Sequence, residues 1–207
     1  MHIKSILSST RNLKDDHIVI RRVRDIAQTC SYKLYNNIYV PIEHIEIISV
    51  IIEEFVDNFH HGKEEKAYFP ETKGKNNFAE DVRKFLIEHE LGRRIANMLR
   101  REIRVWREKE KSGLLKKYDT GIKELNQMEP IARFLKSYAI FIDDHTGKED
   151  KFFDLIMSKA VITNEEDNHL LKHYELCKNQ VGGKERIEEM IKLIEYLEVQ
   201  DWMKSTN

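Results

Sequence analysis

Apolar residues recur at helical spacing through most of the chain. From about Asn12 to Tyr35 they fall at Leu13, Ile20, Val23, Ile26, Ala27, Cys30 and Leu34, the buried stripe of one helix. Residues 1–12 read as a lead-in, and Asp15 and Asp16 fall in the predicted first turn, where the helix dipole favours negative charge. Asn36-Asn37 breaks the pattern and Pro41 suits the first turn of the next helix. That helix is predicted to reach about Tyr68, with Ile45, Ile48, Ile52, Phe55, Val56 and Phe59 inward and Glu46, Glu53, Glu54, Asp57 and Asn58 outward. Pro70 and the polar stretch 71–77 read as a loop.

A third helix is predicted from about Phe78 to Glu108 on the stripe Val82, Phe85, Leu86, Ala96, Leu99, Ile103 and Trp106. After a break at 109–113, Tyr118, Ile122, Leu125, Met128, Ile131, Leu135, Tyr138, Ile142, Phe152 and Ile156 alternate threes and fours. They predict one long helix in which Pro130 marks a kink or the true start. Thr163-Asn164-Glu165-Glu166 then has the capping-box form, and Gly182-Gly183 separates a short helix from a longer one with Ile187, Met190, Ile191, Ile194, Leu197 and Trp202. The expectation is an all-α chain with a helical bundle over residues 1–160 and a C-terminal helical extension, 161–207, packed on it.

Composition agrees with long solvated helices. Charged residues make up 34% of the 207 residues, while Pro and Gly number only three and eight. The 35 Lys and Arg nearly cancel the 36 Asp and Glu, so nothing calls for nucleic acid or an anionic membrane surface as partner. Cys30 and Cys177 stand far apart, outside any CxxC pair, and read as small buried residues in a reducing compartment. The N-terminal apolar run is too short for a signal peptide and no stretch reaches membrane-spanning length, so a cytoplasmic protein is expected.

Histidines interrupt the apolar stripes. His60-His61-Gly62-Lys63-Glu64-Glu65-Lys66 returns 85 residues later as His145-Thr146-Gly147-Lys148-Glu149-Asp150-Lys151. Each copy places a histidine four residues before a carboxylate, on one helix face. His60 continues the stripe of Ile52 and Val56, whereas His61 follows Asp57 and Asn58, so regular phase turns His60 and Glu64 inward and His61 and Glu65 to solvent or a supporting role. His17 and His89 lie on the stripes of the first and third helices. Four helices thus carry one inward histidine each, and two also carry a carboxylate, which points to a dinuclear metal site inside a bundle. The mixed donor set favours a non-haem di-iron centre bridged by Glu64 and Glu149, with manganese or zinc as alternatives. Gly92, one turn past His89, reads as a close helix contact before it reads as room for a small ligand, and Tyr138 as a core residue before a site residue. His169 and His173, four apart but without facing carboxylates, read as surface or packing residues.

Asp16-His17, the His60–Glu65 run with Tyr68-Phe69-Pro70, Glu88-His89, and His145 with Lys148-Glu149-Asp150 resemble the hemerythrin-like, or HHE cation-binding, family over roughly residues 10–160. The resemblance implies an up-down-up-down four-helix bundle around two iron ions, with His17, His60, Glu64, His89, His145 and Glu149 as ligands and an oxo or hydroxo group completing the bridge. It implies binding or sensing of oxygen, nitric oxide, or iron and redox state. The alternative is a di-iron redox enzyme that reduces peroxide or nitric oxide, or an iron donor for iron–sulfur repair; no rubredoxin-like cysteine set accompanies it. In two places the chain departs from oxygen-carrying hemerythrins. Arg93 stands where they have a second third-helix histidine, and His145 with Glu149 replaces a histidine and aspartate five apart. One metal position is then a histidine short, with water or a further carboxylate as candidates, which argues against reversible oxygen carriage.

The spacing predicts that Glu64→Ala abolishes metal uptake while Glu65→Ala retains most of it. Elemental analysis of the two purified variants checks this.

Overall fold

The computed structural model describes residues 8–113 and 128–204. Among these residues all regular structure is helical. Helix α1 spans Ser8–Tyr35, and α2 occupies residues 42–72. They are followed by α3 (Ala79–Lys111), α4 (Glu129–Ser158), α5 (Asn164–Gln180) and α6 (Gly183–Glu198), then a 3-10 turn at Asp201–Met203. No described helix is long and apolar enough to cross a membrane.

Several boundaries differ from those expected. α1 begins at Ser8, so residues 8–12 are helix rather than lead-in, and Asp15 and Asp16 lie beyond the first turn. Its first N–H groups find an acceptor outside the helix. The Ser8 and Ser9 amides donate to the Asp167 carboxylate at 3.0 and 2.9 Å, and the Ser9 hydroxyl adds a third bond. Pro70 stays inside α2, in its closing turn Phe69–Thr72, because a proline in the first turn of that α-helical segment fits the helical φ. Pro130 is the second residue of α4, a start rather than a kink, and the expected helical positions Tyr118, Ile122 and Leu125 lie outside the described residues. Leu86 is 42% exposed, off the α3 stripe. α5 opens with the expected capping box, Glu166 N–H to the Thr163 hydroxyl and Thr163 N–H back to Glu166, but at 17 residues it is no shorter than α6. Gly182, before α6, and Gly183, its first residue, take φ of 103° and 81°, values glycine alone adopts freely.

α2 is the irregular element. An α-helical stretch Ile42–Ile51 passes into π-helix at Ile52–His60, returns to α at His61–Lys63, and widens again at Glu64–Tyr68 before closing at Phe69–Thr72. The residues at each junction keep right-handed helical angles, so the run is unbroken. Wherever bonds run from i to i+5 the turn takes an extra residue, and side chains five apart come to share a face.

The apolar interior falls into two clusters. One gathers Ile20 to Leu34 of α1, Ile45 to Phe59 of α2, Ala96 to Ile103 of α3, and Met128 with Ile131 to Ile142 of α4, closed by Met190, Ile194, Leu197 and Trp202. The other joins Leu13, Tyr68, Phe69, Phe85, Phe152 and Phe153 to Leu170 and Tyr174 of α5. The C-terminal helices therefore contribute to both cores. Between the clusters, at one level on all four long helices, lies a layer of buried His17, His60, His61, Glu64, His89, His145 and Glu149.

Asp167 is 8% exposed and ties residues 159 positions apart, so Asp167→Ala removes a buried carboxylate that accepts from the start of α1. The expected loss is about 1–3 kcal/mol, measured by urea unfolding. Asp154→Asn, which breaks an exposed ion pair with Lys14, should cost about 1 kcal/mol or less.

Candidate metal centre

α1 brings His17 to the layer, α2 brings His60, His61 and Glu64, α3 brings His89, and α4 brings His145 and Glu149. His17, His60, Glu64 and Glu149 form one set of converging donor atoms, and His61, His89 and His145 form another, each within 4.8 Å internally. The two glutamates reach both sets. One Glu64 oxygen lies 3.4 Å from His60 Nε2 and the other 3.4 Å from His89 Nε2. Glu149 lies 3.4 Å from His17 Nε2, 3.3 Å from His89 Nε2 and 3.2 Å from His145 Nε2. The six residues expected from the sequence are thus brought to one place.

His61 is the residue that regular phase turned outward. It is only 3% exposed, and its ring stacks on His89 with centroids 3.8 Å apart. The π-helical stretch before it supplies the reason: with an extra residue per turn, His61 sits one widened turn after buried Val56, and both adjacent histidines face inward. No fixed 3.6-residue period could show this. Glu65, by contrast, takes the supporting role that was expected of it.

A metal pair fits this set of side chains. His61 Nε2, His145 Nε2, both Glu64 oxygens and one Glu149 oxygen are buried without a hydrogen-bond partner. Orphaned buried acceptors cost free energy, and two imidazole nitrogens with three carboxylate oxygens pointing together are the donor set of a borderline or hard cation.

All five histidines are oriented alike. Each Nδ1 donates to a carboxylate: His17 to Asp150 at 3.0 Å, His60 to Asp16 at 3.0 Å, His61 to Asp57 at 3.3 Å, His89 to Glu65 at 2.7 Å and His145 to Glu88 at 2.8 Å. This fixes the tautomer that leaves Nε2 free for a metal and strengthens its donor character. The carboxylates are in turn paired with cations. Arg21 holds Asp150, Lys63 holds Asp16, Lys148 holds Glu88, and Arg93 holds both Asp57 and Glu65. Lys63 is itself buried, with its ammonium also donating to Asn12 at 2.7 Å and lying over the Phe59 ring. Of these helpers only Glu65 was given a supporting role by the sequence, although an acidic residue precedes or follows every histidine of the layer within a turn or on the facing helix.

Electrostatics follow from this arrangement. Burial and the Glu64 charge both push the Glu149 carboxyl up, yet the His145 charge and bonds to His17 and His89 outweigh them and hold it at about 2. Glu64 is likewise drawn well below the usual range, against its burial, chiefly by His60. Burial opposes protonation of His17, but its bonds to Asp150 and Glu149 raise it to about 9; His60 and His89 are raised for the same kind of reason. His61 goes the other way. Burial and the neighbouring His89 charge keep it neutral, ready to donate its Nε2 lone pair.

Aromatic rings shield the layer. Phe153 stacks on His17 at 5.5 Å, Phe69 on His89 at 5.6 Å and Phe141 on His145 at 5.3 Å. Gly92 is the close contact expected, since a Cβ there would stand 2.6 Å from Phe141. Tyr138 lies in the core against Phe141, and His169 and His173 sit apart on α5 with rings 4.7 Å from each other. Cys30 and Cys177 are free and buried, as expected.

Helices that bury a shared histidine and carboxylate layer define a cation-binding bundle. The chain belongs to the Hemerythrin HHE cation binding domain family, whose model matches residues 8–128, more than half of the 207 residues. The matched stretch contains His17, His60, His61, Glu64 and His89, while His145 and Glu149 lie beyond it. Neither a curated protein nor a solved structure matches the chain.

Gly92→Ala brings two opposing effects into one position. Helix propensity favours Ala by about 1 kcal/mol, whereas overpacking costs about 1–3 kcal/mol. The expected result is a lower melting temperature of the metal-free protein and a His145 ring signal shifted by displacement of Phe141. A rise in melting temperature would show that Phe141 yields freely.

Proposed function

We propose that this chain is a non-haem di-iron protein that binds or senses oxygen, nitric oxide, or iron and redox state. Its four long helices are read as the up-down-up-down bundle of its family. Ligands are His17, His60, Glu64, His89, His145 and Glu149, joined by His61. The observation that carries the reading is the reach of Glu64 and Glu149 to histidines of both sets, with five of the converging buried atoms left without a hydrogen-bond partner. Three histidines serve one position and two the other, so the histidine absent from position 93 has a counterpart on α2. That removes the objection to oxygen binding drawn from Arg93. The free, buried cysteines support a cytoplasmic setting.

Iron held here would supply electrons and open Lewis-acid positions to a diatomic ligand. The chain's own part is to hold the site still and dry. Glu64 and Glu149 set the spacing of the two positions, the five Nδ1–carboxylate bonds fix ring orientation, and Phe69, Phe141 and Phe153 keep water from the imidazoles.

Protein loaded anaerobically with ferrous iron should hold two irons per chain and, after exposure to air, show the near-ultraviolet absorption of an oxo-bridged ferric pair. A chain that takes up no iron sinks the reading. Mixing the reduced form with oxygen separates the alternatives: a persistent oxygenated spectrum supports binding, and rapid oxidation with peroxide turnover supports the enzyme.

A further inference from the structure

Arg93 reaches across from α3 to α2 and contacts two carboxylates, Asp57 through Nε at 2.9 Å and Glu65 through Nη2 at 2.5 Å. Those carboxylates orient His61 and His89, the two stacked imidazoles of the three-histidine set. Arg21, Lys63 and Lys148 each hold one orienting carboxylate; Arg93 holds two. The His61–Asp57 bond, at 3.3 Å, is also the longest of the five. The bond to Asp57 is the one hydrogen bond of the His61 ring, so the direction of that ring over His89 depends on what holds Asp57.

We infer that Arg93 is a positioning residue that makes His61 the third histidine of one metal position, by clamping Asp57 and Glu65 at the spacing of the stacked His61 and His89 rings. The inference rests on the dinuclear reading above. A guanidinium suits the task because its planar fork presents several donors at fixed spacing, whereas an ammonium is a single point charge. Arg93 stands four residues after His89, so the helix face that carries His89 also carries the clamp for its partner ring. A surface ion pair of no consequence would not single out the two carboxylates behind one stacked pair.

The test compares wild type with Arg93→Met, Arg93→Lys and Asp57→Asn. In metal-free protein with labelled histidine, nitrogen NMR should show His61 held as the Nδ1–H tautomer in wild type and averaging between tautomers in Arg93→Met. In protein loaded with ferrous iron, a chelator should remove one of the two irons roughly 10–100-fold faster from Arg93→Met, with the other unchanged. Asp57→Asn should behave alike, and Arg93→Lys should recover part of the loss. An unchanged His61 tautomer, or release of both irons accelerated equally, would overturn the inference. Wild-type protein that binds fewer than two irons would instead overturn the dinuclear reading, while the tautomer measurement still decides whether Arg93 positions His61.

Discussion

Two carboxylates at the centre of a helical bundle are the constraint on which the other parts depend. Glu64 and Glu149 are fully buried, and an isolated buried carboxylate is too costly to keep ionised. The structure meets that cost by surrounding them with five imidazoles, placing a carboxylate behind each imidazole, and setting a cation behind each of those. Seven carboxylates face four cations in this nested arrangement, leaving three negative charges. Without metal, the histidines drawn toward protonation are three in number, His17, His60 and His89. Cationic charge is wanted in this layer, and metal binding there competes with protonation of these rings.

The same constraint explains the irregularity of α2. A regular helix can aim only one of two adjacent side chains at a point. The π-helical stretches aim His60 and His61 together and still return Glu64 to the same layer. Two apolar clusters, one on each side of the layer, hold the four helices in register so that donors from different helices meet. The cost of widened turns is borne by this packing, which includes Tyr68 hydrogen-bonded to Thr10 and Lys63 beneath Tyr174.

Much of this was legible in the sequence. Among the described residues the all-α class and the inward histidines follow from spacing, because stripes at threes and fours survive small errors of boundary. His17, His60, His89 and His145 are readable since each continues a stripe that is apolar on both sides. His61 was not, because its orientation depends on hydrogen bonds that run to i+5, and no side chain announces that choice. The early start of α1 was hidden for a different reason: its cap is Asp167, contributed from the far end of the chain. Arg93 looked like the loss of a ligand until the position of Asp57 and Glu65 was known.

The halves of the centre are also separated in time. His60, His61 and Glu64 leave the ribosome 85 residues ahead of His145 and Glu149, an interval of about 4–17 s at ordinary synthesis rates. The acceptor for the first amides of α1 arrives later still, with Asp167. A nascent chain therefore carries five of the seven layer residues, His17, His60, His61, Glu64 and His89, before the segment that supplies His145 and Glu149 has been made.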